Sequence, residues 1–236
     1  MNVLRRAGTV LLAVVAATAI TATSVHAAGT TIRRDNGSGP AYSGRWQATN
    51  IGNVTITGTS SAGTIVTTCS SVTLGGGINS DGTGGSIDNI NIPTCPNNKG
   101  GTTVITAENL PYTHAGQTVA YVGANPGING KLTAVDPDVK VKAVMTMTGF
   151  PTQTCYYGFG STVTQLEIDL YNRDNPSRPD PGQDESQAKI ANDALDRLAG
   201  STSLCPAKVY ANGNAKLRGE KVAGSGVYDE KLYLTS

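Results

Sequence analysis

The sequence predicts an all-β protein, an antiparallel β-sandwich of Ig-like architecture, and three observations lead there. Residues 139–148 place Val139, Val141, Ala143, Met145 and Met147 on one side of a period-two ribbon and Lys140, Lys142, Thr146 and Thr148 on the other. From residue 162 the pattern returns, with Thr164, Leu166, Ile168 and Leu170 alternating with Val163, Gln165, Glu167 and Asp169. Between the two ribbons, Phe150, Tyr156, Tyr157 and Phe159 gather around Cys155, which marks this region as the middle of a core. Several shorter runs of Thr, Val and Ile, bounded by glycine and serine, supply the remaining strands.

The chain opens with a secretory leader at 1–27. Arg5 and Arg6 precede an apolar run over 10–20, and Val25-His26-Ala27 offers a small-residue cleavage site. The run is short for a bilayer span, so no membrane segment is expected after cleavage. Loss of Arg5 and Arg6 takes the formal charge from +1 to −1, which gives no electrostatic reason to expect nucleic acid or an anionic membrane as partner. About two hundred residues remain, enough for a single secreted domain over 28–236.

Residues 28–44 read as a lead-in, loose at the start and held near Tyr42 and Trp46. From Trp46 to Asn98 the only charges are Asp81 and Asp88, and the β-branched residues argue for order. Residues 53–57, 64–68, 71–74 and 88–92 are the short strands of this part, with Gly75-Gly76-Gly77 and the run 79–85 assigned to turns. Strands are expected again at 102–107 and 118–122, followed by a reversal over 123–130 that leads into the central ribbon.

Twenty of the thirty-five charged residues lie beyond Thr164, yet one domain remains the simplest count, because Cys205 needs a partner in the less charged part. Residues 172–185, with Pro176, Pro179 and Pro181, read as an exposed loop. The next segment obeys a different rule. Ile190, Ala191, Ala194, Leu195 and Leu198 form a helical stripe, with Asp184 and Glu185 ahead of it and Gly200 behind, so local signals alone predict a helix. Runs at 207–211, 215–222 and 227–235 close the sheet.

All four cysteines, Cys69, Cys95, Cys155 and Cys205, follow the leader, and an even number in an exported chain predicts two disulfides. Of the three possible connectivities, Cys69–Cys95 with Cys155–Cys205 is preferred because it joins nearest neighbours. No CxxC or paired-histidine spacing suggests zinc, and no cofactor motif is present.

With the cysteines placed, the chain resembles a family of secreted β-rich proteins of unknown function from high-GC Gram-positive bacteria. The resemblance rests on Ala48-Thr49-Asn50 with Gly52-Asn53-Val54, on Cys69 with Leu74-Gly75-Gly76, on 90–95 and 107–112, on Cys155-Tyr156-Tyr157-Gly158, and on 200–206 with the ending 232–236. It implies a β-sandwich, the neighbouring disulfides, and a strand where the helical stripe lies. It carries no catalytic residues. The loop at 172–185 departs from its pattern.

Chemistry is sparse. His114 is the one histidine certain to survive export, and no G-x-S-x-G elbow accompanies it, so a serine triad has no support. His26 could join it in a two-histidine copper site only if cleavage made His26 the N-terminus. Asp88, Glu108, Glu167 and Asp169 are the acids available for glycoside hydrolysis, and Asp136-Pro137-Asp138 reads as a turn. For calcium, the oxygen-rich loop offers Asp174, Asp180 and Asp184, with Asp169, Glu185, Asn172 and Asn175 nearby. Tyr112, Tyr121, Tyr156 and Tyr157 could form a sugar-stacking platform or fill the core, and alternation turns Tyr156 or Tyr157 inward. The expectation is an uncharacterised, non-catalytic binding or cell-envelope-associated module, with cell-wall glycan or another secreted protein as partner. The alternatives are a glycan-active hydrolase using an Asp/Glu pair, and an inhibitor-like protein acting through 172–185.

Overall fold

A computed structural model describes residues 29–114, 116–123 and 127–236. The leader expected at 1–27, including His26, lies outside the described residues. Fifteen strands follow in order: β1 (Thr31–Arg34), β2 (Gly44–Ser60), β3 (Gly63–Cys69), β4 (Thr73–Ile78), β5 (Asn89–Asn91), β6 (Cys95–Asn97), β7 (Gly101–Glu108), β8 (Thr118–Tyr121), β9 (Gly130–Ala134), β10 (Lys140–Met147), β11 (Phe150–Gly158), β12 (Leu166–Tyr171), β13 (Ser186–Arg197), β14 (Lys208–Gly219) and β15 (Glu230–Thr235). Every ladder between them is antiparallel.

The all-β class and both disulfides, Cys69–Cys95 and Cys155–Cys205, are as the sequence predicts. The Ig-like pair of stacked sheets is not what forms. Hydrogen bonding instead runs around a closed ring of eight strands, β14–β2–β3–β6–β7–β10–β11–β13 and back to β14. Three long strands cause the difference, because β2, β13 and β14 extend beyond the ring and build a second lobe. There β2 pairs with β4 through residues 44–49, β13 pairs with β12 through 187–189, and β9, β8, β15 and β1 complete the walls. All three strands change register at one level, between Asn212 and Asn214 against β2, and between Ala191 and Asp193 against β14. Gly52 and Asn192 take left-handed backbone there, with φ of 68° and 60°. Bulges bend and twist a strand, so bulges at one level turn the three strands from one lobe into the other and help the first sheet to close.

The ring is filled. Ile65, Ala143, Met145, Met147 and Tyr157 pack around the Cys155–Cys205 bridge, which makes the region of Cys155 the core of this lobe, as its alternation and aromatic cluster imply. Of the four aromatics only Tyr157 joins this cluster: Phe150 is exposed at the start of β11, and Tyr156 and Phe159 are partly buried. A second cluster around Cys69, Cys95, Val72 and Ile105 forms the junction, and a third, with Ile32, Tyr42, Leu170, Leu232 and Leu234, forms the interior of the second lobe.

Other local expectations are corrected. The helical stripe is strand β13, in agreement with the resemblance, because pairing to β12, β11 and β14 satisfies its backbone and outweighs a weak intrinsic preference. Gly75-Gly76-Gly77 is strand and not turn. A Cβ on Gly76 would lie 1.8 Å from the Ser86 carbonyl oxygen, so glycine answers a close backbone approach. The lead-in contributes β1, which pairs with β15 and ties the chain's beginning to its end. Strand β9 begins at Gly130, the end of the reversal expected over 123–130, of which residues 124–126 lie outside the described residues, and its short GKLTA run gave no clear signal.

Candidate functional site

Between the walls of the second lobe lies a partly enclosed cavity of about 170 Å³. Alternation builds it. Trp46 and Ala48 on β2, Leu74 and Ile78 on β4, Ile168 and Leu170 on β12, Ala188 and Ile190 on β13, and Ala215 and Leu217 on β14 all turn one face to it. Leu132, Val119, Ile32, Leu232 and Leu234 close the remaining sides. No Asp, Glu, Lys or Arg lines it among the described residues.

The few polar groups of the wall are mostly spent on the fold. Asn172 donates from its amide nitrogen to the Leu234 carbonyl and accepts from the Leu234 N–H, both at 2.8 Å. Ser186 donates to the Leu232 carbonyl at 2.6 Å, Ser86 accepts from the Gly77 N–H at 2.9 Å, and the Trp46 indole N–H donates to the Gly77 carbonyl at 3.1 Å. Asn50 bridges the Val72 N–H and the Ser70 carbonyl. Gln117 differs: it is 4 % exposed and its amide nitrogen has no hydrogen-bond partner among the described residues. Sequence reasoning did not single out Gln117, because an isolated Gln in a loop-like stretch gives no signal of burial.

Three of the four acids considered for hydrolysis are held by bases. Asp88 pairs with Arg45 at 2.7 Å, Glu108 with Lys140 at 2.9 Å and Glu167 with Lys131 at 2.6 Å. Asp169 lies on the face of β12 opposite Ile168 and Leu170, away from the cavity. Near it sits Asp193, which the sequence reading passed over. Burial pushes its carboxyl upward, as do Asp169 and Glu167, against backbone hydrogen bonds that lower it, and its Oδ2 has no partner among the described residues.

His114 is exposed, its backbone N–H held by Asp136 Oδ2 at 3.0 Å. Asp136 forms the expected turn. Its carboxylate accepts from the N–H groups of Thr113, His114 and Asp138, which together overcome the upward push of burial and hold the carboxyl below its usual range.

The loop at 172–185 is docked rather than free. Asn172 and Asn175 are buried, Asn175 donating to Asn129 at 2.7 Å, and Glu185 pairs with Arg218. Of the calcium candidates, Asp174 accepts from the Tyr233 hydroxyl at 2.8 Å, Asp180 accepts from the Gly182 N–H at 2.9 Å, and Asp184 pairs with Lys231 and Arg173. They do not converge, and no group of three or more potential metal ligands occurs among the described residues. The tyrosine platform does not assemble either. Tyr112 and Tyr157 are buried, Tyr121 packs on the second lobe's core, and Tyr156 lies 4.6 Å beneath the Lys140 ammonium.

No protein-family model, curated protein or solved structure matches the chain.

Proposed function

We propose that the protein is an exported, non-catalytic binding module whose second lobe receives a small apolar ligand. The observation that carries this reading is the uncharged cavity of about 170 Å³ in the second lobe, lined among the described residues by apolar side chains and a few polar ones. Concave, mostly apolar space with a few polar groups is the usual form of a small-molecule site. Two intrachain disulfides are compatible with an extracellular location, and the leader at 1–27 supplies the route. The resemblance to secreted β-rich proteins of high-GC Gram-positive bacteria belongs to the same proposal. Cell-wall glycan fits the cavity poorly, since a sugar's hydroxyls would meet almost no free polar partner there.

The test uses the secreted protein. Trp46 is the chain's single tryptophan and stands in the cavity wall, so its emission reports occupancy. Small apolar aromatics should shift that emission and raise the melting temperature, while unrelated sugars do neither. N-terminal sequencing should begin at Ala28. Unchanged emission and melting across an apolar panel would remove the reading.

One observation favours a second reading, an acid-pair hydrolase: Asp193, with its raised carboxyl beside Asp169 and Glu167. Release of reducing ends from cell-wall polysaccharide by wild type, lost in Asp193→Asn, would support it. Equal background from both proteins would end it.

A further inference from the structure

The cavity also constrains what can occupy it. Resting on the binding reading above, we infer that its ligand is a neutral molecule of about one ring in size, bearing one hydrogen-bond-accepting oxygen that Gln117 recognises. Size comes first. An apolar cavity of roughly 150 Å³ accommodates a benzene-sized guest, so about 170 Å³ suits a ring with a short substituent.

Charge comes next. A carboxylate, phosphate or ammonium brought into this wall would be desolvated with no counterion, because no charged side chain lines the cavity among the described residues. Burial of an unpaired ion is prohibitive. The guest is therefore neutral.

The oxygen follows from Gln117. Asn50, Ser186, Asn172 and Trp46 use their polar atoms on the fold and Ser86 Oγ accepts from Gly77, whereas the Gln117 amide nitrogen keeps a donor unmet among the described residues, in a residue that is 4 % exposed. Its backbone is fixed, the N–H donating to the His114 carbonyl at 2.9 Å and the carbonyl accepting from the Gly85 N–H at 3.1 Å. That nitrogen is buried behind the wall, and on this inference a turn of the amide about its last side-chain bond presents it to a guest. Water is a poor substitute, because an ordered water needs two to four polar partners and almost all of this wall is apolar. A ketone, ester or ether oxygen needs only one.

Three single-ring probes of similar size test this by isothermal titration calorimetry: acetophenone, ethylbenzene and benzoate. Wild type should bind acetophenone about tenfold more tightly than ethylbenzene, the ratio expected of one buried hydrogen bond. Benzoate should give no measurable heat. In Gln117→Leu the acetophenone-to-ethylbenzene ratio should fall to near one while ethylbenzene affinity persists. Equal affinities in wild type, or tightest binding of benzoate, would overturn the inference and leave the apolar-binding reading standing. Failure of all three to bind would overturn both. The wild-type series decides the matter without the variant if Gln117→Leu does not fold.

Discussion

Filling the cavity gives the most discriminating test of the second lobe, and Ala188→Leu is the substitution to make. Ala188 sits on β13 between Leu170 of β12 and Ala215 of β14, all three lining the cavity, and is only 8 % exposed. Leucine adds three carbons. At about 0.8 kcal/mol per buried methylene these contribute roughly 2.4 kcal/mol, less about 0.5–1 kcal/mol of leucine rotamer entropy. The expected gain is therefore about 1.5–2 kcal/mol, or roughly 3–8 °C in melting temperature for a domain of this size. Urea unfolding followed by Trp46 emission measures it, with a higher midpoint at unchanged slope as the expected signature. Apolar guests should lose their effect in the same variant. Were this a fully packed interior, the extra carbons would cost about 1–3 kcal/mol instead, so a lowered midpoint refutes the cavity and the reasoning built on it.

Three further outcomes follow from other parts of the fold. Replacing Cys155 and Cys205 by serine, which opens a 50-residue separation, should lower stability by about 4 kcal/mol, against about 3.5 kcal/mol for the 26-residue pair Cys69 and Cys95, both read by urea denaturation. Gly76→Ala should cost well over 3 kcal/mol or abolish folding, since its Cβ would sit 1.8 Å from the Ser86 oxygen, whereas Gly52→Ala meets nothing within 4 Å and should cost only about 1 kcal/mol for its left-handed backbone. Asp136 has a folded-state carboxyl below its unfolded value, so its contribution is present above about pH 4 and is lost as pH falls through the folded value. Asp136→Asn should remove about 1–3 kcal/mol at neutral pH and flatten the acid limb of a stability–pH curve.

The strands were legible where alternation was local and strong, as in Ala143, Met145 and Met147 facing the ring's core. Proximity in sequence and the need to tie the charged last third to the rest were enough for the cysteine pairs. Closure into a ring was not legible. It depends on β2, β13 and β14 each serving two lobes, and the bulges that permit this leave as their only trace a glycine at 52 and an asparagine at 192. The helical stripe misled for a related reason, because a twelve-residue strand whose two halves belong to different lobes shows no single period-two face. The loop at 172–185 was legible, with residues such as Asp174, Pro181 and Asp184 exposed, but its anchoring was not, because proline and acid content describe the chain's local stiffness and solubility and not its partners, here Leu234, Asn129, Lys231 and Arg218.

The cavity itself follows from residue size at a few positions of the shared strands. Where β2, β13 and β14 pass through the second lobe they present Ala48, Ala188, Gly213 and Ala215 to its interior, while the ring is filled by Met145, Met147, Tyr157 and a disulfide. The same three strands thus bound one packed interior and one hollow one. A void of this volume costs about 4 kcal/mol relative to a filled core, at roughly 24 cal/mol per Å³. That is close to what one of the two bridges contributes. The Cys69–Cys95 bridge lies in the junction cluster with Val72 and Leu74, both of which also line the cavity. One staple therefore stands at the end of the very wall that the missing side chains leave unsupported, and an apolar guest would supply the contacts those alanines and the glycine forgo.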